Sequence, residues 1–189
     1  MTKIVFLFFL IAFTACTPVK ENTSKEIKAY YEGYKNSDYN QVKRTLADSL
    51  ITTEGDYIMA FSRESYHEQF KWDSVFKPVY KLISIENQEE HPVATITVHS
   101  SKFEFLKNNP LKLRHQFYFT KGKISKIKTV DFIDVNWDTW EKEKVALVNW
   151  VQTNHPELDG FMNDLTMKGA QNYLKAIDLY QQRQTKVTE

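Results

Sequence analysis

Two histidines fall in step with apolar residues in the middle of the chain. Residues 93–106 alternate as a strand, with Val93, Thr95, Thr97, His99, Ser101, Phe103 and Phe105 on one face. Residues 111–120 alternate as its partner, with Leu111, Leu113, His115, Phe117 and Phe119 on one face. If Leu106 pairs with Pro110 across Asn108-Asn109, odd positions lie opposite odd positions, and His99 and His115 become near-diagonal neighbours. The other face, with Lys102, Glu104, Lys112, Arg114 and Gln116, suits solvent. Two imidazoles beside Ser101 on an apolar face could transfer a proton or hydrogen-bond a ligand. The blander reading, two satisfied histidines in a large core, is favoured over a pocket pair. A one-residue slip in register would turn one of them outward and dissolve the pair.

Other chemistries find less support. His67, His91, His99, His115 and His155 show no HxH or HxxxH spacing, and the single Cys forms neither an internal disulfide nor a cysteine-based zinc site, so no metal or cofactor is expected. Ser49, Ser62 and Ser84 lack the glycine pattern of a nucleophile elbow. Trp137, Trp140 and Trp150 read as helix packing rather than a sugar platform.

The one cysteine has another use. Lys3 is followed by an apolar run over residues 4–15 and then by Cys16. A run of 12 residues is short of the roughly 20 that span ~30 Å of hydrocarbon, but it fits the core of a signal peptide. Phe13-Thr14-Ala15-Cys16 resembles a bacterial lipobox, with small residues at the two positions before the cysteine and Phe13 in place of the usual Leu. The resemblance implies cleavage before Cys16 and acylation of its thiol, so the chain is expected to be exported and to meet the membrane through that lipidated terminus. Thr17 follows the cysteine where Asp would signal inner-membrane retention, which implies the outer membrane of a Gram-negative bacterium. Residues 1–15 are then the signal peptide and residues 16–25 the lipidated cysteine and a polar tether.

Charge limits the partners. Lys and Arg number 25 against 24 Asp and Glu, with no basic block, which argues against nucleic acid. Losing Lys3 with the signal peptide leaves the charges balanced, so the lipid rather than headgroup attraction would hold the protein. Hydrophobic residues at 42% with 5 Gly and 5 Pro suit one globular domain.

The supporting elements follow from periodicity. Ser24 reads as the cap of a first helix bearing Ile27, Tyr30, Tyr31 and Tyr34. Asp38 reads as the cap of a second, with Val42, Leu46 and Leu50 on one face. Residues 50–61 read as a hairpin about Glu54-Gly55-Asp56, and residues 62–76 as a helix ended by Pro78. Alternation over 79–89, 93–106, 111–120 and 124–133 predicts an antiparallel meander. Helical spacing returns at Asp138-x-x-Glu141 and after His155-Pro156, giving a C-terminal helical pair over 135–183 and a polar tail over 184–189.

This order resembles the nuclear-transport-factor-2-like fold, which SnoaL-like polyketide cyclases and ketosteroid isomerases share. The resembling region is 26–134. Its carriers are Tyr30-Tyr31-Glu32-Gly33-Tyr34, the break Asn36-Ser37-Asp38, the helix over 62–76, and the hairpin Phe117-Tyr118-Phe119-Thr120-Lys121-Gly122-Lys123-Ile124 leading to Val130-Asp131-Phe132. The resemblance implies an α+β domain: a cone-shaped, curved antiparallel sheet wrapped around N-terminal helices, with a pocket inside. It implies a candidate pocket of Tyr30, Tyr34, His99, Ser101, His115 and Phe117. Tyr30 or Tyr34 would stand loosely where ketosteroid isomerase keeps its oxyanion donor, an enzyme whose Tyr–Asp pairing is well understood. Asp131 as the acid needs Thr120 to pair with Ile124; otherwise Val130 and Phe132 face inward, which the burial of that apolar pair favours. The expected function is a lipid-anchored envelope domain that binds a small apolar or amphipathic ligand without turnover. The alternatives are an isomerase, cyclase or dehydratase with His99 or His115 as general base, and an accessory subunit of an envelope complex.

Overall fold

The computed structural model describes residues 19–86 and 91–185; Cys16 and the signal segment lie outside them. Helix α1 (Val19–Lys35) begins ahead of the expected cap at Ser24. Part of the expected tether is therefore helical, as Lys20, Glu21 and Lys25 without Gly or Pro allow. Ile27, Tyr30, Tyr31 and Tyr34 line its buried side. Gly33 is required by packing: a Cβ there would stand 2.7 Å from Val42 Cγ2 and 2.8 Å from Val42 N. Its absence lets α2 (Tyr39–Thr45) close against α1, with Asp38 Oδ1 accepting from Gln41 N at 3.1 Å as the cap.

The second helix is shorter than its apolar spacing predicts. Leu46 and Leu50 belong to β1 (Leu46–Glu54), which turns at Gly55-Asp56 into β2 (Tyr57–Ser62). Leu46 and Leu50 serve helical and extended spacing alike, and the β-sheet wins them. After α3 (Tyr66–Ser74) come β3 (Val79–Glu86), β4 (Val93–His99), β5 (Leu111–Thr120) and β6 (Lys123–Ile133). The sheet order is β2-β1-β6-β5-β4-β3. The meander is antiparallel, but β1 pairs with β6 in parallel, so the six-stranded sheet is mixed rather than wholly antiparallel. Register shifts lie in the β1/β6, β3/β4 and β5/β6 pairings. Such bulges bend strands and add twist, and here the open sheet curls about α1 as the resemblance implies.

One correction governs the site. The strand expected over 93–106 stops at His99. Ser100 Oγ then accepts from Phe103 N at 3.2 Å and caps α4 (Ser101–Phe105). Ser101, Phe103 and Phe105 alternate like strand residues, but the capping serine turns the backbone into a helix. Across the longer connection Val98 pairs with Leu111 and Ala94 with His115, so the index sum is odd. Ala94, Ile96, Val98, Leu111, Leu113 and His115 then share the face that packs on α1.

Helices α5 (Trp137–Asn154) and α6 (Met167–Thr185), joined through a 3₁₀ turn at Pro156–Leu158, form a second layer. The cap of α5 is Asn136, whose Oδ1 accepts from Thr139 N at 2.9 Å, rather than Asp138. The helix expected directly after His155-Pro156 begins only at Met167. Leu147, Val151, Ala170, Tyr173, Ala176 and Ile177 pack on Trp72 of α3, on Phe76 just beyond its end, and on Phe105 and Leu106. Asn108 pins the join: its Oδ1 accepts from Asn136 N at 2.8 Å and its Nδ2 donates to Leu106 O at 2.8 Å.

Candidate functional site

Inside the cone lies a cavity of about 230 Å³, roughly one and a half times the 150 Å³ that accommodates benzene. Its apolar wall is Ile96, Val98, Leu111, Leu113, Ile127, Phe103 and Phe132. Its polar wall is dominated by tyrosines: Tyr30, Tyr31 and Tyr34 from α1, Tyr66 from α3 and Tyr80 from β3. Positions 30, 31 and 34 reach one side because residues three or four apart stack along a helix. Tyr66 and Asp73 share a face of α3 for the same reason.

The hydroxyls are joined. Tyr34 Oη donates to Tyr66 Oη at 2.9 Å, and Tyr30 and Tyr66 share a 2.6 Å hydrogen bond. Three phenols make two bonds with three protons, so one O–H of this trio is left over as a donor. Burial holds the Tyr30, Tyr34 and Tyr66 hydroxyls above the ordinary tyrosine range, so all three are neutral at neutral pH. Tyr80 Oη donates to Asp73 Oδ2 at 2.7 Å. Burial raises the Asp73 carboxyl, against the opposing pull of Lys102 and the Tyr80 bond. Thr52 and Thr53 also line the cavity, and their Oγ1 atoms are buried without a hydrogen-bond partner in the protein; Thr52, paired with Met59 and Ile127, turns its side chain inward, and Thr53, beside Ile58 and Lys128, turns the other way. An unmet buried hydroxyl costs about 1–3 kcal/mol, so the Thr52 hydroxyl favours a polar group on whatever enters.

His115 reaches the cavity with Nδ1 2.8 Å from Tyr31 Oη. Burial pushes its imidazole down to about 4, so it is neutral at pH 7. A neutral imidazole engaged in this way orients Tyr31, while its low basicity makes it a weak proton acceptor.

The expected pocket is corrected at three residues. His99 is exposed at the end of β4. The one-residue slip in register separates it from His115, so the two-imidazole base is not assembled. Ser101 stands at the start of α4, where its Oγ donates to Phe76 O at 3.2 Å. Phe117 is fully buried behind the wall, edge-on to Tyr30 and Tyr31 at 6.1 and 6.0 Å between centroids. Tyr30, Tyr34 and His115 do line the cavity. On β6, Thr120 pairs with Lys123, Phe132 lines the cavity and Asp131 is exposed, so Asp131 is no partner for the tyrosines. Sequence reading missed Tyr66, Asp73, Tyr80, Thr52 and Thr53 as site residues. The seven-residue spacing of Tyr66 and Asp73 was the available signal for two of them. Among the described residues no three His, Cys, Asp or Glu side chains gather as a metal site, and no helix is long and apolar enough to cross a membrane.

No protein-family profile and no curated protein matches the sequence. Solved structures share its arrangement at low identity. A candidate polyketide cyclase from Sinorhizobium meliloti is 10% identical, with 56% of this chain and 93% of that chain covered and a TM-score of 0.49. A nuclear-transport-factor-2-like protein of unknown function from Cytophaga hutchinsonii is 10% identical, covering 58% and 88% with a TM-score of 0.47. A candidate ketosteroid isomerase from Kribbella flavida is 8% identical, covering 61% and 81% with a TM-score of 0.48. These likenesses concern chain arrangement and assign no activity.

Proposed function

We propose that this chain is an exported, lipid-anchored envelope protein whose cone binds a small apolar or amphipathic molecule without turning it over. The observation that carries the binding part is the cavity of about 230 Å³, walled by aliphatic and aromatic side chains and edged by a few hydroxyls. Pockets of this make-up, mostly apolar with a small number of placed polar groups, suit ligand capture. The spare hydroxyl of the Tyr30–Tyr34–Tyr66 trio and the free hydroxyl of Thr52 would orient the polar end. The absence of turnover rests on His115, whose low basicity and bond to Tyr31 suit a structural role better than proton abstraction.

The test is recovery of the ligand. The full chain purified from its own membrane is extracted with organic solvent and the extract is read by mass spectrometry. A Val98→Trp variant, which fills the cavity, should lose the small molecule that the unchanged chain carries. Equal recovery from both would end the reading. The anchor is tested by intact mass: the mature chain should begin at Cys16 and carry acyl groups, and Cys16→Ser should abolish both. A second reading, an accessory subunit, draws on edge strand β2, where Tyr57 is 78% and Ile58 is 73% exposed. A single monomeric species alone and with envelope extract would count against it.

A further inference from the structure

The charges around the cavity are unequal. Asp73 and Glu54 both line it, while no Lys or Arg does so. Asp73 accepts the Tyr80 hydroxyl on Oδ2, and among the described residues its Oδ1 takes no hydrogen bond. Lys102 is the nearby cation that acts on both carboxylates. Its ammonium is drawn off the cavity wall, lying 4.7 Å from the Trp72 ring centre and 4.8 Å from that of Phe103. Two carboxyl groups therefore line the cavity with no cation on its wall, and burial favours their neutral form until a positive charge enters. His115, the remaining titratable nitrogen on the wall, is neutral and supplies no positive charge. The wall beside these acids is aromatic, with Tyr34, Tyr66, Tyr80 and Phe103, and ring faces attract cations. The buried hydroxyl of Thr52 adds an acceptor for an N–H donor.

We infer that the ligand is a small organic cation, an amine on an apolar or aromatic body, with its ammonium directed to Asp73 and Glu54 and its body against Ile96, Val98 and Leu113. This rests on the ligand-binding reading above and names the chemical class. An anion of the same size would meet two carboxylates with no cation on the wall to receive it. A neutral molecule would fill the space and leave the two carboxyl groups without a cation.

Three probes of similar shape separate these cases: phenethylamine, 2-phenylethanol and 3-phenylpropanoate, titrated into the purified full-length chain by calorimetry. The amine should bind about tenfold more tightly than the alcohol, the worth of one charge-assisted hydrogen bond, and the carboxylate should bind least. Asp73→Asn keeps an acceptor for Tyr80, and it should weaken binding of the amine by a much larger factor than binding of the alcohol, erasing most of the preference. Glu54→Gln, at the exposed rim, should reduce the preference by a smaller factor. Equal binding of amine and alcohol, or a preference untouched by both substitutions, would overturn the cation inference and leave the ligand-binding reading standing. Failure of all three probes to bind would overturn both.

Discussion

The cone and the C-terminal layer are both rich in aromatic residues, yet they use them differently. The layer joins Trp72, Phe76, Phe105, Phe161, Tyr173 and Tyr180 to small partners, Ala170 and Ala176, so the helices close on one another. Phe76 meets Tyr173 edge-on at 5.4 Å and Trp72 at 5.1 Å. The cone sets its rings around a curved sheet, whose bulges hold the strands away from α1, and about 230 Å³ remains unfilled. Close packing fills a core when two rigid surfaces can approach freely; a sheet held open by its own curvature cannot collapse onto a single helix. The filled layer supports the cone by fixing α3 and α4, which carry Tyr66, Asp73 and Phe103 to the cavity. Aromatic content alone therefore does not distinguish a core from a binding site. The distinguishing features are curvature, unmet hydroxyls and buried charge.

The comparison can be broken most forcefully in the layer. Phe76 is fully buried, and Phe76→Ala should cost about 3–5 kcal/mol in denaturant unfolding. A loss under about 1 kcal/mol would mean that the layer is not close-packed.

Proton linkage at His115 probes the cone next. Its imidazole is at about 4 in the folded chain against 6.5 ordinarily. Above pH 6.5 both states are neutral there and the site contributes no pH dependence. As pH falls from 6.5 towards 4, the unfolded chain takes a proton that the folded chain refuses, so stability drops, by up to about 3 kcal/mol once below 4. The test is the difference in unfolding free energy between the unchanged chain and His115→Gln, followed from pH 7 to pH 4. A difference that stays flat across that window removes the buried neutral imidazole from the account.

Enlarging one side chain in each region sharpens the contrast directly. Ala176→Leu should cost about 1–3 kcal/mol in the filled layer, whereas Val98→Leu, pointing at free space, should change stability by less than about 1 kcal/mol. Equal penalties in thermal melts would show that the cavity wall has no slack. The smallest effect belongs to Tyr66→Phe. It deletes the hydroxyl that joins Tyr30 and Tyr34, and should cost about 1 kcal/mol because their freed groups still face the cavity. It should also weaken uptake of small aromatic probes relative to Phe117→Leu, a change behind the wall.

Much of the frame is legible in the residues. The alternation of β5 and β6 about Lys121-Gly122, the turn at Gly55-Asp56 and the tyrosine side of α1 follow from local periodicity, because burial of one face imposes it on every folded form of those segments. Phe132 turning inward and Asp131 outward follows from the same rule. The register of β4 with β5 is not legible in this way. Residues 101–105 alternate as a strand would, and a single Ser100 cap, supported by Asn109 Oδ1 accepting from Ser100 N at 3.2 Å, makes them a helix. That one local competition decides whether His99 faces the pocket or the solvent. Leu46 and Leu50 pose the same ambiguity, settled by pairing with β6 and β2.

The sequence by itself determined which segments are extended and which helical for most of the chain, because period-two and helical burial patterns are properties of contiguous residues. The residues alone also place the tyrosines of α1 against a core; the close approach of Val42 that requires Gly33 is visible only in the folded chain. The meetings of Tyr30 and Tyr34 with Tyr66, of Tyr31 with His115, and of Asp73 with Tyr80 exist only in the folded chain. Tyr31 and His115 lie 84 positions apart. Contacts at such separations depend on strand order, bulges and register together, and a change of one residue in any of these replaces every partner on the face.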